Sequence, residues 1–113
     1  MKRVLRLLTI FIFLFSVAQT EVYAQQKSRK MINADNAFSL EQYVKAAELY
    51  KKAYKKRGTK RAVKADIIFK QAECYRLSGN NKRAESYYKR AIKAKCSDIV
   101  IAHLHDADVL RMQ

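Results

Sequence analysis

The apolar positions of this chain fall into runs with helical spacing. Tyr43, Ala46, Ala47, Tyr50, Ala53 and Tyr54 recur three and four apart, which gathers them on one helix face, while Lys45, Lys51, Lys52, Lys55 and Lys56 mostly point elsewhere. The scheme returns further on, with Ala84, Tyr87, Tyr88, Ala91 and Ile92 inward and Lys82, Arg83, Lys89 and Lys93 outward. After residue 24 there is no proline and no alternation of the kind a half-buried strand shows. The pattern predicts an all-α chain.

Helix boundaries are marked as well. Ser39 with Gln42 three residues on reads as a capping box, so one helix should end near Phe38 and the next begin at about Leu40. Gly58 supplies a left-handed stop and Thr59 a cap, closing that helix at about Arg57 and opening another. Gly79 with Asn80 and Asn81 repeats the punctuation, and Ser97 and Asp98 are placed to cap a last helix from about Ile99 to the end. Five helices joined by short turns are expected.

Two stretches superimpose at a shift of 38 residues: Ala34, Tyr43, Ala46, Tyr50 and Ala53 fall on Ala72, Asn81, Ala84, Tyr88 and Ala91. A third copy begins at a shift of 35, where Ala72-Glu73-Cys74-Tyr75-Arg76-Leu77 is echoed by Ala107-Asp108-Val109-Leu110-Arg111-Met112. Small residues recurring where helices must approach, and aromatics where a hairpin needs filling, are the signature of stacked helical hairpins, here about two and a half of them. The third hairpin is expected to be truncated, leaving Ile99, Leu104, Ala107 and Leu110 short of a covering helix and open to self-association.

The first 24 residues read as a secretory signal peptide and residues 25–113 as the repeat domain. Lys2, Arg3 and Arg6 precede an almost wholly apolar run from Leu7 to Ala18, and Val22-Tyr23-Ala24 offers small residues at a peptidase cut, with Ser16-Val17-Ala18 a second choice. The alternative is an uncleaved anchor, which the run disfavours because a membrane span needs about 20 apolar residues. No cysteine near either cut supports a lipid-modified start. The expected location is therefore outside the cytoplasm, periplasmic or associated with an outer membrane.

Charge sharpens the partner question. The formal net charge is +14, and setting aside Lys2, Arg3, Arg6 and Glu21 leaves +12 on the repeat domain. Such a balance ordinarily suggests nucleic acid, but an exported protein meets acidic polysaccharide, lipid phosphate or acidic protein instead, so no nucleic acid partner is expected. The densest cluster is Lys51, Lys52, Lys55, Lys56, Arg57, Lys60, Arg61 and Lys64. It is either an anionic docking patch or a solvated, slightly elongated turn between hairpins, the more usual fate of a charge run.

These positions resemble the tetratricopeptide repeat, whose hairpins carry small residues at the eighth, twentieth and twenty-seventh places. Ala34, Ala46 and Ala53 fit one unit and Ala72, Ala84 and Ala91 the next, with Tyr75 and Tyr88 in the aromatic places of the second unit and Tyr50 in the later place of the first. The usual proline ending each unit is missing, and Cys96 stands in its place in the second. A narrower likeness is carried by Ile68-Phe69-Lys70-Gln71-Ala72-Glu73-Cys74-Tyr75-Arg76, Ala84-Glu85 and Tyr88-Lys89-Arg90-Ala91-Ile92. It is similar to the N-terminal repeat region of bacterial envelope proteins of the type IX secretion and gliding machinery, which continue into a β-propeller and an OmpA-like peptidoglycan-binding domain. Neither later domain is in this sequence, so the likeness implies a truncated or short relative, or a gene remnant, without the peptidoglycan activity.

The resemblance implies a concave groove lined by Met31, Asp35 and Phe38, by Phe69, Glu73 and Arg76, and by Leu104, Asp108 and Arg111. An extended or helical peptide suits such a surface, and the recurring acids Asp35, Glu73 and Asp108 point to a partner of basic character. The blander reading is that Glu73 and Arg76 simply pair three apart on one helix. Scaffold or adaptor is the expected role, with an anionic-surface binder as the alternative.

Signals for chemistry are thin. Cys74 and Cys96 are the two cysteines; export permits a disulfide, and the geometric demands of the bond favour free thiols. Cys96, His103 and His105 lack the spacing of a zinc module, and histidines two apart on a helix diverge. There is no glycine-rich phosphate loop and no discernible serine, histidine and acid cluster, so neither an enzyme nor a cofactor or metal site is expected.

Overall fold

The computed structural model describes residues 2–7, 9 and 27–113. The leader expected over residues 1–24 falls mostly outside them; residues 2–7 are helical and exposed. Among the described residues no helix is long and apolar enough to cross a membrane.

Beyond the leader the chain forms α1 (Arg29–Ser39), α2 (Tyr43–Lys55), α3 (Arg61–Leu77), α4 (Asn81–Lys93) and α5 (Ile99–Met112). Each packs against its neighbour in sequence, giving stacked antiparallel helices in a helical-repeat arrangement. The alanines do what their periodicity demands. Ala34, Ala46, Ala72, Ala84 and Ala91 are fully buried, and with no side chain beyond Cβ they let the helix axes close together. Tyr50 fills the first hairpin and Tyr88 the second, both completely buried.

The central helix α3 is buried on two sides. Ile67 and Cys74 face the first hairpin, while Ala65, Ile68, Phe69 and Ala72 face the second. Ala102 and Val109 of α5 are the counterparts of Ile67 and Cys74 at a shift of 35, and they are buried against the second hairpin. The repeat register therefore extends into α5. With that register fixed, and with α3 17 residues long against 14 for α5, the extra residues form a further helical turn at the start of α3. The elongated turn expected around Lys60 is thus helix from Arg61 onward.

Several caps differ from those read in the sequence. Ser39 caps nothing: its hydroxyl bonds back to the Asp35 carbonyl at 3.0 Å, and α2 begins at Tyr43 behind Gln42, with no side-chain cap. The break is made by the backbone, with Gln42 N–H donating to Ala37 O and Glu41 N–H to Phe38 O around a left-handed Glu41 (φ 59°). The same closure recurs at Gly79 (φ 83°), with Asn80 N–H to Tyr75 O and Gly79 N–H to Arg76 O, and again at Lys95 (φ 58°). Thr59 donates its hydroxyl to Ala53 and Lys56 carbonyls rather than capping α3. Asn80 does cap α4, accepting from Arg83 N–H at 3.3 Å. Ahead of α5 neither Ser97 nor Asp98 caps; Ser97 reaches across to Asp66 of α3, bonding it through N–H at 2.8 Å and Oγ at 3.0 Å.

Candidate functional site: an open cavity between the first hairpin and the third helix

A recess of about 740 Å³ opens where α1, the α2–α3 link and α3 meet. Three of the predicted groove residues, Met31, Asp35 and Phe69, line it. So do Lys56, Arg57 and Lys60 of the basic cluster, which no spacing along the chain associates with the groove. The turn that brings them there depends on Gly58, whose φ of 83° is strained for any residue with a side chain. Lys27, Val63 and Asp66, with no separate signal in the sequence, also line the cavity, as do Lys70 and Asp98, which the sequence marked only for other reasons.

The rest of the basic cluster diverges. Arg61 and Lys64 border a second, smaller recess of about 390 Å³, where the Lys64 ammonium lies 5.2 Å from the Tyr54 ring centre. Lys51, Lys52 and Lys55 stand exposed on α2 and line neither recess.

The groove acids are engaged inside the molecule. The Tyr50 hydroxyl donates to Asp35 at 2.5 Å, and Lys27 lies 3.5 Å from the same carboxylate. One repeat later the Tyr88 hydroxyl donates to Glu73 at 2.5 Å. In both hairpins the acid precedes its tyrosine by 15 residues, a spacing present in the sequence but legible only once the hairpin is closed. Glu73 has further partners: Arg76 Nη2 at 2.7 Å and His105 Nδ1 of α5 at 2.5 Å, while Arg76 Nε donates to the Tyr88 oxygen at 3.0 Å.

Burial opposes ionisation of Glu73, which is 8% exposed, yet the hydrogen bonds from Arg76, Tyr88 and His105 outweigh it and hold the carboxyl below its usual range. Burial, reinforced by the neighbouring carboxylates, drives the Tyr50 and Tyr88 hydroxyls far above their ordinary range, so both stay protonated donors. The Glu73–Arg76 contact is thus a structural pair, as the blander reading had it. Of the three predicted groove acids, Asp35 and Glu73 are hydrogen-bonded within the hairpins and Asp108 is exposed on α5.

The remaining groove positions do not share the cavity. Phe38 packs edge-on against Tyr43 with Lys70 over its ring, and Leu104, Asp108 and Arg111 are exposed on α5. Cys74 and Cys96 are free, buried in different core clusters, and burial pushes the Cys74 thiol up to about 12. His105 turns inward to Glu73 while His103 is exposed, and among the described residues no three His, Cys, Asp or Glu side chains gather as metal ligands would. Comparison with known proteins finds no matching family model, no matching curated protein and no matching solved structure.

Proposed function

We propose that this chain is a non-enzymatic interaction module of the tetratricopeptide type, working as a scaffold or adaptor in a bacterial cell envelope. The observation that carries the proposal is the convergence of Met31, Asp35 and Phe69 with Lys56, Arg57 and Lys60 on one open cavity. The Tyr50–Asp35 bond ties α1 to α2 at the cavity and the Tyr88–Glu73 bond ties α3 to α4, which supports a recess pre-organised for a protein or peptide partner. Export to the periplasm or outer membrane, and kinship with type IX secretion components, belong to the same proposal and rest on the leader pattern and the strings around Ala72 and Tyr88.

A photo-crosslinking residue at Met31, compared with one at Lys51 on the outer face, tests the reading in native envelopes. Defined partner adducts from position 31 and none from position 51 are expected. Equal labelling from both, or none from position 31, would refute it. One observation favours a second reading, contact with an anionic surface: Lys51, Lys52 and Lys55 are exposed and form no ion pair among the described residues. That reading requires adducts from position 51 and binding that dissolves in salt.

A further inference from the structure

We infer that the cavity takes an acidic peptide segment, seating an apolar side chain on its floor and flanking carboxylates on its rim. This deepens the interaction-module reading and rests on it. The apolar part of the cavity lining is Met31, Ala53, Val63 and Phe69, with Ala53 and Phe69 buried and Met31 and Val63 more open. The rim is charged, and its charges are unequally committed.

Among the acids, Asp35 already accepts from Tyr50 and faces Lys27, and Asp66 is held by both the N–H and the hydroxyl of Ser97. Asp98 alone lacks such a bond among the described residues. On the cationic side, Lys27 is spent on Asp35 and Lys70 lies over the Phe38 ring at 5.0 Å. Lys56, Arg57 and Lys60 have no ion-pair partner among the described residues, and all three are exposed. Counting every lining charge, five cations (Lys27, Lys56, Arg57, Lys60 and Lys70) stand against three carboxylates (Asp35, Asp66 and Asp98), and Lys56, Arg57 and Lys60 carry the excess, which favours a negative ligand.

The apolar floor decides between anionic ligands. A lipid headgroup or acidic glycan would use the three cations and leave the accessible parts of Met31 and Val63 uncovered, whereas a peptide with an aromatic or aliphatic anchor between glutamates or aspartates uses both. The anchor supplies burial and the carboxylates supply register.

The test uses the full chain with three probes: a fluorescent peptide carrying a Phe-Leu core between glutamates, the same peptide with glutamines, and phosphatidylglycerol vesicles. The glutamate peptide should bind about tenfold more tightly than its glutamine counterpart. Arg57→Glu with Lys60→Glu, both at exposed positions, should erase that preference, and Val63→Asp should weaken both peptides. Circular dichroism of each variant confirms that the helices persist. Equal affinity for the two peptides, or a preference that survives the double charge reversal, overturns the inference and leaves the module reading standing. Vesicle binding without peptide binding overturns both.

Discussion

At the scale of single residues, stability rests on two hydroxyl–carboxylate bonds that repeat with the hairpins. They differ in exposure: the Glu73 side chain is 11% exposed and that of Asp35 33%. Removing the hydroxyl from Tyr88 strips a buried carboxylate of a donor and leaves Arg76 Nε without its acceptor, so Tyr88→Phe should cost about 1–3 kcal/mol. Water can replace the lost donor at Asp35, and Tyr50→Phe should cost about 1 kcal/mol or less. Urea unfolding of the two variants side by side measures the difference. Two carboxyls are held low, the surface Glu85 by Lys89 and Gln113 and the buried Glu73 by its network, and the unscreened share of the acidic limb of the stability profile is that of Glu73. Because its folded carboxyl titrates below the ordinary value of 4.5, its contribution is complete above that value and fades as pH falls through the lower, folded one. Thermal melts across this range should show the fade in the parent chain and a flatter profile in Glu73→Gln.

At the scale of elements, the repeated left-handed closure sets where helices stop. Glycine occupies it once, at Gly79, while Glu41 and Lys95 hold the same conformation with side chains. Glu41→Gly and Lys95→Gly should each stabilise by about 1 kcal/mol by relieving the Cβ strain, and Gly79→Ala should cost a similar amount. Nothing lies within 4 Å of a Cβ built at Gly79, so that cost is one of backbone conformation alone. Chemical denaturation of the three single variants tests the set, and a neutral Glu41→Gly would count against the strain argument. These closures also explain why the caps were misread. Ser39, Thr59 and Ser97 sit at positions where a hydroxyl commonly caps, but the backbone bonds at Glu41 and the long-range tie to Asp66 supply the ends instead.

At the scale of the whole molecule, α5 is held to the stack by one face. Ala102 and Val109 are buried and His105 reaches Glu73, while Leu104 and Leu110 on its other faces are 61% and 49% exposed. In the two complete hairpins the alanine and acid matching Ala107 and Asp108 are covered by a second helix carrying a tyrosine hydroxyl. Association through the exposed Leu104 and Leu110 is the expected outcome, which Leu104→Lys with Leu110→Lys should abolish in analytical ultracentrifugation. Concentration-independent sedimentation of the unaltered chain would remove this expectation.

How much of this was legible in the sequence differs between fold and site. The helices, the hairpin stacking and the shifts of 38 and 35 follow from the spacing of Ala34, Ala46, Ala72 and Ala84, because close helix crossings accept only small side chains. The groove positions were found in part: Met31, Asp35 and Phe69 share a cavity, but Glu73 and Arg76 are drawn into an internal network. No local pattern announces a bond between residues 15 or 32 positions apart, such as Tyr88 or His105 with Glu73, since each carboxylate has many potential donors until the chain folds.

By itself the sequence determined that the chain is helical, that its helices pair as repeats, and which small and aromatic side chains fill them, since periodicity and volume are local properties. Tertiary structure decided which charges remain available to a partner. It placed Tyr50 and Tyr88 against the acids, tied Asp66 to Ser97, and left Lys56, Arg57 and Lys60 without an ion pair among the described residues beside Met31 and Val63. A charge is spent or spare only relative to its neighbours in space, and those neighbours come from separate turns of the stack.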